Sequence, residues 1–312
     1  MKKQVLFNIA ALPYRDPIPV YGMRFGGEEK TLAVMGALRG DEHQQMYIAA
    51  LLVKRLRALE EEGKLAPGCG VLVIPTAGQF SMNVGTRFWP VDDTDINRMF
   101  PGYDQGETTQ RVADAVFQAL RGYKYGVHLT SFYLPGDFMT HARIIRTGYE
   151  NPENGLAFGV PYLVMRSPRP YDTTTLNYNW QVFDTEAVSL YTRATDTIDD
   201  DSAQYAVEAI IRFMVNKGIL IDTDVLPGVE TRMVNEESMA VILTKQAGIF
   251  RPRLQPGAKV REGEVLGYIL DPYCAEVLEE IRTPVDGELF FVRSVQVISE
   301  HDVAFRVAKD ET

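Results

Sequence analysis

Three short segments carry the residues whose types and spacing could do chemistry: Gly36-Ala37-Leu38-Arg39-Gly40-Asp41-Glu42, then Asp95-Ile96-Asn97-Arg98-Met99-Phe100-Pro101-Gly102, then Gly126-Val127-His128-Leu129-Thr130. Glu42 and His128 supply a carboxylate and an imidazole, both with lone pairs that a divalent ion accepts. Arg98 and Asn97 supply a guanidinium beside an amide, and a guanidinium is a planar, two-pronged fork suited to a carboxylate. Arg39 stands apart. A guanidinium has no lone pair to give and stays protonated in proteins, so Arg39 is no metal ligand and is expected to pair with Glu42 instead.

These residues need elements to position them. Thr31 to Leu38 is a short, nearly continuous apolar run of the kind buried on both faces of a parallel sheet. From Glu42 the apolar residues Met46, Ala49, Leu52, Val53, Leu56 and Leu59 recur every three or four positions, which predicts an amphipathic helix ending near Gly63. Glu42 is thereby placed at a strand-to-helix junction. Gly70 to Ile74 reads as the next strand, and Val112 to Leu120 as a second helix stopped by Gly122. A third strand, Tyr125 to Leu129, carries His128, and a later one runs from Ala187 to Thr192. After it an acidic cap at Asp199 to Asp201 opens a helix that reaches Asn216, with Gly218 as its C-cap. Alternation of this kind argues for a mixed, largely parallel α/β sheet flanked by helices, with ligands at the carboxyl ends of the strands. The segment Tyr149 to Trp180, rich in Pro, Tyr, Asn and Thr, reads as an ordered excursion that walls or covers a pocket.

Beyond about Gly228 the texture changes to short strands with turn signals, and a small all-β domain is expected over 229–312, following an α/β domain over 1–228. Pro256 to Gly267, followed by Thr283-Pro284-Val285-Asp286-Gly287, looks like the barrel-sandwich pattern of biotinyl and lipoyl domains, without the modifiable lysine such carriers present. A net charge of -10 over 312 residues makes nucleic acid an unlikely partner. No stretch approaches the roughly 20 apolar residues of a membrane span. Cys69 and Cys274 are distant in the chain, so a cytoplasmic protein without disulfides is the default. A homo-oligomer is compatible with the sequence, which does not set the state.

Together the three segments resemble the succinylglutamate desuccinylase/aspartoacylase family, a branch of the zinc carboxypeptidase superfamily. The first segment corresponds to that family's Gly-x-His-Gly-x-Glu and the third to its Asp-x-His. Glu42 and His128 match zinc-ligand positions, while Arg39 replaces the first histidine and Gly126 the aspartate. The resemblance implies one zinc ion whose bound water, its pKa lowered to roughly 7, attacks an amide or ester bond of a small N-acyl amino acid-like carboxylate. It also implies that Asn97 and Arg98 grip the substrate carboxylate and that Arg87, in Gly85-Thr86-Arg87-Phe88, polarises the scissile carbonyl. Tyr191 falls where the family has its glutamate base. With a reference pKa of about 10, a tyrosine does not replace a carboxylate base near neutral pH. Two outcomes are open: a deacylase with a rearranged metal site, or a metal-free pseudoenzyme that binds or senses a carboxylate, with Arg39 as the ion's substitute. Tyr191 acting as a proton donor with Arg39 as electrophile is a third. Phe138 to Arg143 is a weaker likeness to a pocket segment. His141 and His301 read as structural. His43 adjoins Glu42, but one helical step turns a side chain by about 100°, which disfavours a shared ion.

Overall fold

The computed structural model describes residues 1–9, 13–14, 16–193 and 197–310; the last two residues of the expected C-terminal domain lie outside the described residues. An antiparallel pair, β1 (Lys2–Ile9) and β2 (Ile18–Gly26), opens the chain. Strands and helices then alternate through β3 (Glu29–Ala37), α1 (His43–Glu61), β4 (Cys69–Thr76), α2 (Gln79–Val84), α3 (Thr108–Leu120) and β5 (Tyr125–Leu129). Next come β6 (Gly136–Phe138), β7 (His141–Ile145), α4 (Pro152–Leu156), β8 (Tyr162–Arg166), α5 (Leu176–Val182), β9 (Glu186–Tyr191), α6 (Asp200–Asn216) and β10 (Arg232–Asn235).

Nine of these strands form one twisted sheet in the order β1-β2-β4-β3-β5-β9-β7-β8-β10. Its centre is parallel, with β3 between β4 and β5 and β5 beside β9, whereas β1, β2 and the β7–β9 pairing are antiparallel. Because side chains alternate along a strand, β3 feeds two layers. Leu32 and Val34 join a cluster with Ile48 and Leu52 of α1 and Ile210 of α6, while Ala33 and Met35 join Val116 of α3 and Trp180 of α5 on the other face. The continuous apolar run of this strand is the sequence signature of that double burial.

The strands and helices expected from sequence are present with most ends shifted by no more than two residues, although α3 begins four residues before Val112, and Gly63, Gly122 and Gly218 follow α1, α3 and α6 with positive φ. The sequence reading lacks β1, β2, β7, β8 and β10. The excursion at Tyr149 to Trp180 is more structured than its composition suggests: β8 enters the sheet and α5 packs on β9.

The remaining strands, β11 (Ala240–Leu243), β12 (Gly248–Pro252), β13 (Lys259–Val260), β14 (Val265–Leu270), β15 (Val277–Arg282), β16 (Gly287–Arg293), β17 (Val297–Ile298) and β18 (Val303–Lys309), form two antiparallel sheets. Leu266, Ile269, Leu289 and Phe305 fill the space between them. Two features tie this unit to the main sheet. β10 follows the expected boundary at residue 228 yet pairs with β8, and β6 leaves the main chain path to pair with β16.

Gly126 on β5 shows why one family position differs. A Cβ there would lie 2.8 Å from Trp180 Cε3 and 3.0 Å from Thr185 Cγ2, so the indole of α5 fills the space that a side chain would need. Restoring a carboxylate would both overpack the site and bury a charge. Gly126→Asp is therefore expected to cost about 3 kcal/mol or more, read as a shifted urea midpoint. An unchanged midpoint would show that Trp180 has room to move.

Candidate functional site

β3 ends in a tight turn, Leu38 to Asp41, before α1 begins. Gly40 is required there, because a Cβ would sit 2.0 Å from the Thr86 carbonyl. The turn brings the Glu42 carboxylate back over its own backbone. Glu42 Oε2 accepts from the N–H groups of Leu38 at 2.8 Å and Arg39 at 3.0 Å, and Oε1 accepts from Arg39 Nη1 at 3.0 Å and the Ser131 hydroxyl at 2.7 Å. The side chain is fully buried. Burial alone would raise its pKa. The charge of Arg39 chiefly, with help from the Ser131 hydroxyl, outweighs that and holds it at about 2.

Arg39 bridges two of the sequence segments. Its Nε donates to Asp95 Oδ1 at 2.9 Å and its Nη2 to Asp95 Oδ2 at 2.8 Å, a two-pronged pair, while Nη1 faces Glu42. Asp95 Oδ1 also accepts from the Asn97 N–H at 2.9 Å and so caps the short 3-10 turn Ile96–Arg98. The expected Arg39–Glu42 pair is present. Asp95 as its second partner is a finding that the sequence reading lacks, though the residue opens the second segment.

His128 lies on β5 beside β3, opposite Met35 in register, and is 1% exposed. Burial lowers its pKa to about 4, so the ring is neutral near pH 7, and its Nε2 has no hydrogen-bond partner among the described residues. Arg87 donates from Nη1 to Asp41 at 2.5 Å and from Nη2 to Ser131 Oγ at 3.3 Å. Ser131 thus couples Arg87 to Glu42.

Arg39, Arg87, Asp95, His128 and Ser131 line one cavity of about 400 Å³ at the carboxyl ends of β5 and β9, with Glu42 fully buried behind them. Asn97 and Arg98 are both on its wall, but each is already engaged. Asn97 Oδ1 accepts from the Leu176 N–H at 3.0 Å, fixing the start of α5. Arg98 Nη1 donates to the Tyr171 carbonyl at 3.0 Å, and its guanidinium lies 5.0 Å from the Tyr171 ring centre. Tyr191 also lines the cavity, its ring stacked on His141 at 4.8 Å and the Arg143 guanidinium 4.5 Å from its centre. His141 is fully buried and bonded through Nδ1 to the Met139 carbonyl, and burial takes its pKa down to about 3. It does not line the cavity, nor do His43 and His301.

The wall holds further residues that no motif or spacing singled out: Arg166, Arg169, Asp172 and Asn177 from the Tyr149 to Trp180 excursion, and Glu236 after β10. Composition marked that excursion as a pocket wall without marking which side chains face inward.

A zinc site needs three protein donors with free lone pairs converging on one point. Glu42 already accepts four hydrogen bonds, two of them from Arg39, and the guanidinium sits against the carboxylate where a cation would lie. Among the described residues no group of three His, Cys, Asp or Glu side chains is arranged to hold a metal ion. The donor set does not fit zinc.

Comparison with known proteins places this geometry. Residues 28–129 match the succinylglutamate desuccinylase/aspartoacylase catalytic domain. A curated relative, the N-alpha-acetyl-L-2,4-diaminobutyric acid deacetylase of Halomonas elongata, is 23% identical over 275 residues, which are 84% of this chain and 77% of that protein. Among solved structures, the succinylglutamate desuccinylase/aspartoacylase of Rhodobacter sphaeroides superposes with a TM-score of 0.76 at 21% identity, covering 95% of this chain and 90% of the other. The product-bound ectoine utilization protein EutE (DoeB) of Ruegeria pomeroyi gives 0.77 at 19% identity over the same shares of the two chains. The chain shares the fold of these proteins, and its residues 28–129 are similar to the catalytic domain of the succinylglutamate desuccinylase/aspartoacylase family. No helix among the described residues is long and apolar enough to cross a membrane.

Removing the guanidinium would leave two buried carboxylates facing each other without a counter-charge. Arg39→Met is expected to lose about 3–5 kcal/mol of stability at pH 7. In the wild type Glu42 ionises below its unfolded value, so its contribution is present above pH 4.5 and lost as pH falls towards 2. The gap between wild type and variant should accordingly narrow below about pH 4.5. Denaturant titrations at pH 7 and pH 4 check this, and a gap independent of pH would show that Arg39 acts by packing alone.

Proposed function

We propose that this chain binds a small carboxylate-bearing, N-acyl amino acid-like ligand in the cavity, and that Arg39 takes the electrostatic place of a metal ion there. The observation that carries the reading is the three-way contact of Arg39 with Glu42 and Asp95. A divalent ion between the same carboxylates would meet a fixed, permanently charged guanidinium, and the repulsion in a buried site is severe. The ligand class is supported by the arginine-rich wall and by the family's N-acyl amino acid deacylases, of which the Halomonas elongata protein is one by name.

In this reading Arg98 and Asn97 hold the ligand carboxylate, and Arg87 with Arg39 faces the acyl oxygen. Each Nη of Arg39 keeps one N–H beyond those bonded to Glu42 and Asp95, so the group remains a donor. Water activation is the missing part. His128 offers a free Nε2, but an imidazole with a pKa of about 4 is a weak base, and Tyr191 holds the position where the family has a glutamate. Binding without metal-assisted hydrolysis follows.

A second reading, slow hydrolysis, is favoured by the similarity to a deacylase family and by that one unpartnered nitrogen. Protein purified without chelator should contain well under one zinc per chain. It should also gain thermal stability with N-acetyl amino acids while releasing no acetate. Arg98→Gln should weaken binding about tenfold to a hundredfold, the loss of one charged hydrogen-bond partner. Stoichiometric zinc, or acetate release that stops when zinc is stripped, would restore the metallohydrolase.

A further inference from the structure

β11 (Ala240–Leu243) ends the five-stranded antiparallel sheet, bonded on one side to β18 and on the other to no strand among the described residues. A free edge presents a row of backbone N–H and C=O groups to any extended chain, and proteins blunt such edges with charged residues, proline or very short strands. The other edges of this molecule are blunted in that way. β1, β10, β13 and β15 each carry a lysine, arginine or glutamate, β6 carries an aspartate, and β17 is two residues long. β11 reads Ala-Val-Ile-Leu, with neither a charge nor a proline.

Side chains alternate along this strand. Ala240 and Ile242 join the core between the two C-terminal sheets, whereas Val241 and Leu243 are 47% and 44% exposed. The register puts Val241 opposite Arg306 and Leu243 opposite Val303, so both exposed side chains lie on the face from which β18 reaches the Phe132 ring. Unlike charges flank the strand. Glu237 lies three residues before it and Lys245 two residues after it, both exposed. Parallel alignment of two such strands would set glutamate beside glutamate and lysine beside lysine. Antiparallel alignment sets each against its opposite, and a two-fold axis normal to the sheet produces that alignment and makes every contact occur twice. The edge is therefore complementary to itself in both apolar surface and charge.

We propose that two copies of this chain pair edge to edge through β11, joining their five-stranded sheets into one. Val241 and Leu243 of each copy are then covered by the other, and Glu237 of each lies near Lys245 of its partner. This pairing does not depend on what the cavity binds. Four residues of edge bury less than the roughly 1,200 Å² at which stable interfaces begin, so the dimer is weak, with a Kd of about 10–100 μM.

Sedimentation equilibrium of the full chain from about 1 to 500 μM, a range that brackets such a Kd, tests it. Wild type should pass from monomer to dimer across the range. Leu243→Lys, which puts a charge into the strand at a position already open to solvent, should weaken association at least about tenfold. Lys245→Glu and Glu237→Lys, each alone, should weaken it by about tenfold, because each homodimer then sets like charges together twice. An equimolar mixture of those two variants should associate as wild type does, since every acidic end again meets a basic one. Glu237→Lys also gives up the hydrogen bond that Glu237 accepts from the Ser167 N–H. Mixing cannot repair that loss, so recovery in the mixture reports the charge pairs alone. Wild type that stays monomeric throughout overturns the proposal, as does a dimer indifferent to Leu243→Lys and to both charge variants, which would lie on another surface. A mixture that associates no better than its components overturns the antiparallel pairing and the proposal with it.

Discussion

Everything at the carboxyl end of this sheet is arranged around one guanidinium shared by two carboxylates. Glu42 cannot be buried as an anion without compensation, and neither can the face of Asp95 that turns inward. Arg39 meets both with three N–H groups in one plane, and the geometry then dictates its surroundings. The turn at Gly40 has to be tight for Glu42 to reach back to it. The 3-10 turn at Ile96–Arg98 is capped by the same Asp95 that receives the arginine, so the second segment is docked to the first through a charge rather than through apolar contact. Because the cation is a side chain of the protein, this docking is part of the folded chain itself.

The central part of this arrangement was legible before any coordinates. Strands that are apolar throughout can only be central strands of a covered sheet, which located the turn holding Glu42 and the strand holding His128. Elementary chemistry then required Arg39 to face Glu42, because a protonated guanidinium has nothing to offer a metal. What remained hidden was of another kind. β7 and β8 are short, β7 just before and β8 inside a stretch whose Pro, Tyr and Asn content reads as loop. Their identity depends on pairing with β9 and β10, a nonlocal fact. Arg143, Arg166 and Glu236 face the cavity only because of that pairing. Asp95 was visible as part of a motif, yet its partner could not be named without knowing which turn lies over it.

Asn97 shows how a motif residue can serve position and recognition at once. Its side-chain oxygen receives the Leu176 N–H, which orients α5, and α5 carries Trp180 against Gly126. The absence of a side chain at Gly126 is therefore the same fact as the presence of the indole. Two residues along the same strand, His128 is a buried, neutral ring whose Nε2 has no hydrogen-bond partner among the described residues.

The C-terminal strands take part in this chemistry at one remove. Arg306 on β18 pairs with Glu236, and both Arg306 and Arg143 lie against the Phe132 ring, at 5.2 and 5.1 Å from its centre. β6, just beyond Phe132, is itself a strand of the C-terminal sheet. A ring held between two guanidiniums by cation–π contact is a poor place for positional freedom, since each cation fixes the face it covers. Displacing the C-terminal sheet would release Arg306 from Glu236 and shift the field felt by Arg166 and Arg143. The β unit thus supports the cavity from behind, through Glu236, without lining it.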